Sequence, residues 1–127
     1  MLADLEVHAT IPASDLARAR RFYQEKLGLT PAEETPGGLI YRCANSWFLL
    51  YPTSYAGNAT HTLMGWQTGD IEREVAALKA KGVVFEEYDT PYLKTVGSIA
   101  TTGPNRAAWF KDSEGNILGI VQMGAAK

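Results

Sequence analysis

Apolar and polar positions alternate along residues 5–11 (Leu-Glu-Val-His-Ala-Thr-Ile), the two-residue period of a half-buried strand. Pro12 is expected to close it. Ser14-Asp15 then supplies a capping side chain, and the spacing predicts a helix over 15–27 with Leu16, Ala19, Tyr23 and Leu27 on its apolar side. Gly28 ends it. Short strands are predicted near 30–35, 38–44 and 46–51, with turns at Pro36-Gly37-Gly38 and Ala44-Asn45. A small, polar connector, 52–60, follows. The pattern then restarts: a strand near 62–68, a cap at Gly69-Asp70, and a helix whose face carries Ile71, Val75 and Leu78 and which stops at Gly82. A strand is predicted to begin at Val83-Val84-Phe85. Further strands fall near 95–101, 106–111 and 117–123, with Asp112-Ser-Glu-Gly-Asn116 as a strong turn.

The chain therefore reads as strand–helix–three strands, twice. Asp15-Leu16 matches Asp70-Ile71 at an offset of 55, and Leu27-Gly28-Leu29 matches Lys81-Gly82-Val83 at 54. A unit repeated at this length is one supersecondary element that buries its face against its neighbour. Each half is too small to build its own core, so one shared core is expected.

Composition narrows the function. With 127 residues, 46% hydrophobic and 20% charged, the chain has the make-up of one globular domain. Twelve basic against fourteen acidic residues give a net charge of −2 with no block of one sign. Capture of nucleic acid or of an anionic membrane is not expected. No apolar stretch approaches the roughly 18 residues of a membrane span. The opening Met1–Glu6 lacks the basic-then-apolar run of a signal peptide, so a cytoplasmic location is expected. The single cysteine, Cys43, allows no intrachain disulfide and reads as an inert thiol in an apolar strand.

His8-Ala-Thr-Ile-Pro-Ala-Ser-Asp15-Leu16, then Phe22-Tyr23 and Leu27-Gly28-Leu29, resemble the opening of the vicinal oxygen chelate superfamily, the glyoxalase, bleomycin-resistance and extradiol-dioxygenase group. Gly69-Asp70-Ile71 and Leu78-Lys-Ala-Lys-Gly82-Val83 resemble its second half, and Phe110-Lys-Asp-Ser-Glu-Gly115-Asn116 its closing turn. The resemblance implies an α+β fold: one domain over 1–127, built from two βαβββ modules, about 5–52 and 61–123, around a central cavity. It also implies a homodimer. In metal-dependent members the cavity holds a divalent ion, with ligands on the first and last strand of each module.

Carried onto this chain, those ligand positions are His8, Leu49, Leu63 and Gly119. Only His8 can donate to a metal. A divalent ion needs three or four nitrogen or oxygen ligands to compete with water. No metal and no other cofactor is therefore expected. A rebuilt site drawing on His8, His61 or Glu6 is the alternative. Strand parity places His8 and Thr10 on the cavity side, away from Leu5, Val7, Ala9 and Ile11. It places Trp47 and Tyr51 with Leu49, Gly65 and Gln67 with Leu63, and Val121 with Gly119. The expected ligand-binding set is His8, Thr10, Trp47, Leu49, Tyr51, Leu63, Gln67 and Gly119: an apolar floor with a few polar contacts, as in small-molecule pockets.

The polar, aromatic stretch 88–94, with Tyr88, Pro91 and Tyr92, is expected as a loop either at the cavity mouth or as a plain connection. No phosphate loop and no nucleophile elbow is present. Two function classes follow. One is a metal-independent binder of a small apolar or aromatic molecule. The other is an enzyme of the same superfamily (lyase, isomerase or dioxygenase), metal-free with His8 as acid or base, or with a rebuilt metal site.

Overall fold

The computed structural model describes residues 1–124; residues 125–127 of the expected 1–127 domain lie outside them. The two predicted modules form two separate sheets. In the first, β1 (Ala9–Ala13), β2 (Glu33–Thr35), β3 (Gly38–Cys43) and β4 (Ser46–Pro52) take the order β1-β4-β3-β2, with helix α1 (Leu16–Glu25) between β1 and β2. In the second, β5 (Thr62–Gln67), β6 (Thr95–Val96), β7 (Ile99–Thr102), β8 (Asn105–Lys111) and β9 (Ile117–Gln122) take the order β5-β9-β8-β7-β6, with helix α2 (Ile71–Ala80) after β5. In each sheet the first strand lies parallel to the last, and the rest are antiparallel. This is the α+β, two-module architecture expected from the repeat.

The caps act as the sequence predicts. Asp15 accepts from the Arg18 N–H at 3.0 Å, and Asp70 from the Arg73 N–H at 3.1 Å. Both helices bury part of their apolar stripe: Ala19 and Tyr23 on α1, Ile71 and Val75 on α2. One core joins the halves. Ile11, Tyr23, Tyr41, Phe48 and Leu50 from the first module pack with Ile71, Phe110, Leu118 and Ile120 from the second.

Three expectations need correction. The first strand begins at Ala9, not at residue 5, and it runs through Pro12. Proline is tolerated because β1 is an edge strand, where a missing N–H costs no ladder bond. Leu5 and Val7 consequently stay exposed instead of joining Ile11 on the covered face. The strand expected at 83–85 reduces to a single bridge between Phe85 and Phe110. The strand expected over 95–101 is two strands, because Gly97 and Ser98 both adopt positive φ, 58° and 74°. That pair makes the two-residue hairpin turn joining β6 to β7.

A buried polar lock also joins the modules. Asp112 accepts from the Tyr23 hydroxyl at 2.8 Å and from Asn116 Nδ2 at 2.9 Å, and Asn116 Nδ2 also donates to the Pro12 carbonyl. Burial first, and the Asp112 carboxylate next, push the Tyr23 phenol well above its ordinary range. Glu114, its side chain closed off from solvent, accepts from Ser14 Oγ, the Asp15 N–H and the Arg18 guanidinium.

Candidate functional site

The side of each sheet turned away from the core is only partly covered. On β4 the buried positions are Phe48 and Leu50, so Trp47, Leu49 and Tyr51 point the other way and are half-buried. Thr10 lies opposite Leu49 across the parallel pair and is exposed. His8, exposed just before β1, lies flat on Trp47, with ring centroids 3.7 Å apart and planes 18° from parallel.

The second sheet is less regular. Between Thr62 and Met64 the β5–β9 register shifts. Leu63 is the extra residue of that bulge and packs, half-buried, against the core. The two-residue parity that groups Leu63 with Gly65 and Gln67 does not survive the bulge. Beyond it, Gly65 and Gln67 pair with Gly119 and Val121, opposite in facing to the core residues Leu118 and Ile120. Gly119 is buried by its neighbours, and a Cβ there would meet Trp109 Cδ1 at 3.4 Å and Thr62 Cγ2 at 3.5 Å.

A cleft of about 370 Å³ opens where the end of β1 meets β5. Its walls are Val7, His8 and Ala9 on one side, Met64, Gly65 and Trp66 on the other, with Cys43, Ser46, Trp47 and Phe48 between. Of the expected binding residues it gathers His8 and Trp47. Thr10, Leu49 and Tyr51 continue the same sheet face, while Leu63 and Gly119 do not line this cleft. Gln67 lines a second cleft, discussed below.

Trp66 is the main residue that sequence reading left out. It stacks on Phe110 (6.5 Å, 13°) and meets Phe48 edge-on (6.3 Å, 84°), so the core fixes its indole beside the cleft. Nothing in the linear pattern marks it as a site residue, and its ring contacts are with the core. What a linear pattern lacks is the gap between two sheet edges, which leaves one side of the ring open. Cys43, expected as a core thiol, is half-buried and lines both clefts. The 88–94 loop lines neither cleft. Tyr88 packs edge-on against Trp109 (5.6 Å, 78°), while Tyr92 projects into solvent.

The donor set does not fit the divalent metal that metal-dependent relatives carry. Leu49, Leu63 and Gly119 offer no side-chain donor beside His8. Among the described residues no group of three or more His, Cys, Asp or Glu side chains is placed to hold an ion. His61 is exposed, with Nδ1 3.1 Å from the Thr62 carbonyl. No helix among the described residues is long and apolar enough to cross a membrane.

No curated protein matches the chain in sequence. Solved structures do match in fold. A glyoxalase/bleomycin resistance protein/dioxygenase from Alicyclobacillus acidocaldarius superposes with a TM-score of 0.69 at 18% identity, over 94% of this chain and 92% of that one. TnmS3, an antibiotic binding protein from a Streptomyces species, gives 0.62 at 22% identity, over 94% and 98%. The fosfomycin resistance protein FosX from Listeria monocytogenes gives 0.68 at 14% identity, over 95% and 94%. The model of the Glyoxalase/Bleomycin resistance protein/Dioxygenase superfamily matches residues 7–120, and with the two-module fold this places the chain in that superfamily.

Proposed function

We propose that this protein is a metal-independent binder of a small, apolar or aromatic molecule, held beside the His8–Trp47 stack. The stack is the observation that carries the reading. An imidazole stacked on an indole leaves its own outer face exposed at the rim of an apolar cleft. A planar ligand laid against such a surface gains about 0.5–1.5 kcal/mol per well-placed ring beyond the area it buries. Val7, Ala9, Phe48, Met64 and Trp66 supply apolar wall, and the Ser46 hydroxyl one polar contact. The structural neighbour TnmS3, an antibiotic binding protein, supports a small-molecule ligand. Three donor-free positions out of four support metal independence.

The reading includes a cytoplasmic homodimer. Trp47, Leu49, Tyr51 and Ile40 leave an apolar face half-covered on the first sheet, as Trp109, Ile117 and Val121 do on the second. Both sheets also end in edge strands that pair on one side only. A second copy laid over these faces covers them and deepens the site. Light scattering at micromolar concentration is expected to give close to twice the 13.9 kDa chain mass, and a clean monomer contradicts the dimer.

The binding test is a tryptophan-fluorescence titration with a panel of planar aromatic compounds. At least one is expected to quench, Trp47→Ala is expected to weaken it about tenfold, and dialysis against a chelator is expected to change nothing. Quenching that Trp47→Ala leaves intact, or that needs added zinc, nickel or manganese, overturns the reading.

A second reading rests on the exposure of His8 at the cleft rim, where its imidazole is free to pass a proton to or from a bound molecule. Turnover abolished in His8→Gln with binding retained is its signature.

A further inference from the structure

The molecule has a second cleft, on the other side of Trp66. It measures about 400 Å³ and lies on the seam between the modules, on the helix side of the sheets. Leu27 and Leu29, just past α1, form one wall. Leu78 and Glu74 of α2 form the other, and Trp66, Phe110 and Ile120 lie between them. It shares only Cys43 and Trp66 with the first cleft.

Its charge is one-sided. Arg42 lines it, but Arg42 pairs with Trp47 across the β3–β4 ladder, so its side chain points to the open face of the sheet. There Glu33 holds the guanidinium at 3.1 Å. Glu74 is different. It lies one turn before Leu78 on α2, so the two side chains share a helix face, and both are half-buried. Its ion partner is the neighbouring Arg73, at 3.3 Å and largely exposed, a pair that exchanges cheaply. The Thr68 hydroxyl accepts from the Asp70 N–H and keeps its own proton to donate. Besides Thr68 and Gln67, both uncharged, what remains is an apolar floor with a single carboxylate at its edge.

We infer that this seam is a second small-molecule site, specific for lipophilic amines: an aromatic or aliphatic body set among Leu27, Leu29, Trp66 and Leu78, with its ammonium group on Glu74. An apolar cleft takes up the body of a ligand, and one placed polar group fixes orientation and selects charge. A lipophilic acid has no cationic side chain to meet there and encounters Glu74 instead.

The test compares two probes with one body, 2-(1-naphthyl)ethylamine and 3-(1-naphthyl)propionate, by isothermal titration and by amide shift mapping on the full chain. The amine is expected to bind at least tenfold tighter than the acid and to move the amides of Leu29, Thr68 and Leu78. Glu74→Gln is expected to weaken the amine roughly three- to fivefold, the scale of a partly exposed ion pair, and to leave the acid unchanged. Trp47→Ala is expected to leave amine binding intact, which separates this site from the first cleft. Equal affinity for both probes, an amine affinity unmoved by Glu74→Gln, shifts confined to His8, Trp47 and Gly65, or no binding at millimolar amine each overturns the inference.

Discussion

The two modules share one strand order, to which the second adds β6 at its edge, but their closing turns do different work. In the first, β3 passes to β4 through Ala44-Asn45, with Cys43 paired directly to Ser46. Ala44 takes a φ of 51°, and the turn lies exposed. In the second, β8 passes to β9 through Asp112-Ser113-Glu114-Gly115-Asn116, and Asp112, Glu114 and Asn116 are all buried. The longer turn folds back on itself: the Asp112 carboxylate accepts from the Glu114 and Asn116 N–H groups. It then reaches the other module. Glu114 holds the start of α1 through the Asp15 N–H at 2.9 Å, whereas the start of α2 is held within its own module, by Gln122 Oε1 on the Ile71 N–H at 2.8 Å. A duplicated unit thus keeps its shape while one copy alone acquires the clamp that fixes the two together.

The sharpest way to break this comparison is Asp112→Ala. It leaves the Tyr23 hydroxyl and three donors of the turn without their buried acceptor, at a cost of about 3–5 kcal/mol in urea unfolding. The matching change in the first module, Asn45→Ala, is expected to cost less than about 0.5 kcal/mol. Similar costs at the two turns refute the asymmetry.

Glu114 gives the next largest effect, and it depends on pH. Burial pushes its carboxyl up, but hydrogen bonds from Arg18, the Asp15 N–H, Ser113 and Ser14 outweigh that and hold it at about 2. A folded value below the unfolded one stabilises the protein above about pH 4.5. That contribution, on the order of 3 kcal/mol, is lost as pH falls toward 2. Glu114→Gln is expected to lower stability at pH 7 by about 1–3 kcal/mol and to flatten the acid limb of the stability profile. An unchanged acid limb sinks the assignment. A smaller effect than that of Glu114 is expected for Gln122→Ala, which removes the acceptor of the Ile71 N–H at the start of α2 and leaves the Asp70 cap in place. About 1 kcal/mol is expected, with no change in the pH profile.

Much of this was legible along the chain. The repeat, both helix caps, both helix stripes and eight of the nine strands, as regions, follow from periodicity and turn residues, because these are local properties of consecutive residues. The site was legible in part. Alternation brought Trp47, Leu49 and Tyr51 to one face, because β4 is regular; His8 reaches that face by lying on Trp47 just before β1. It failed at Leu63, because a bulge adds a residue that no periodicity marks. It also failed at residues 5–8, which alternate as a strand does but pair with no strand among the described residues.

Sequence alone determined the module and its duplication, and it puts a leucine or a glycine, neither of which can ligate, at three of the four positions that the family resemblance nominates for metal ligands. Tertiary structure alone decided that Trp66 would have a cleft on either side, that His8 would lie on Trp47, and that a turn near the end of the chain would cap the first helix. Those are contacts between residues from 18 to 100 positions apart. Their energies depend on how two sheets meet, and no local pattern encodes that geometry.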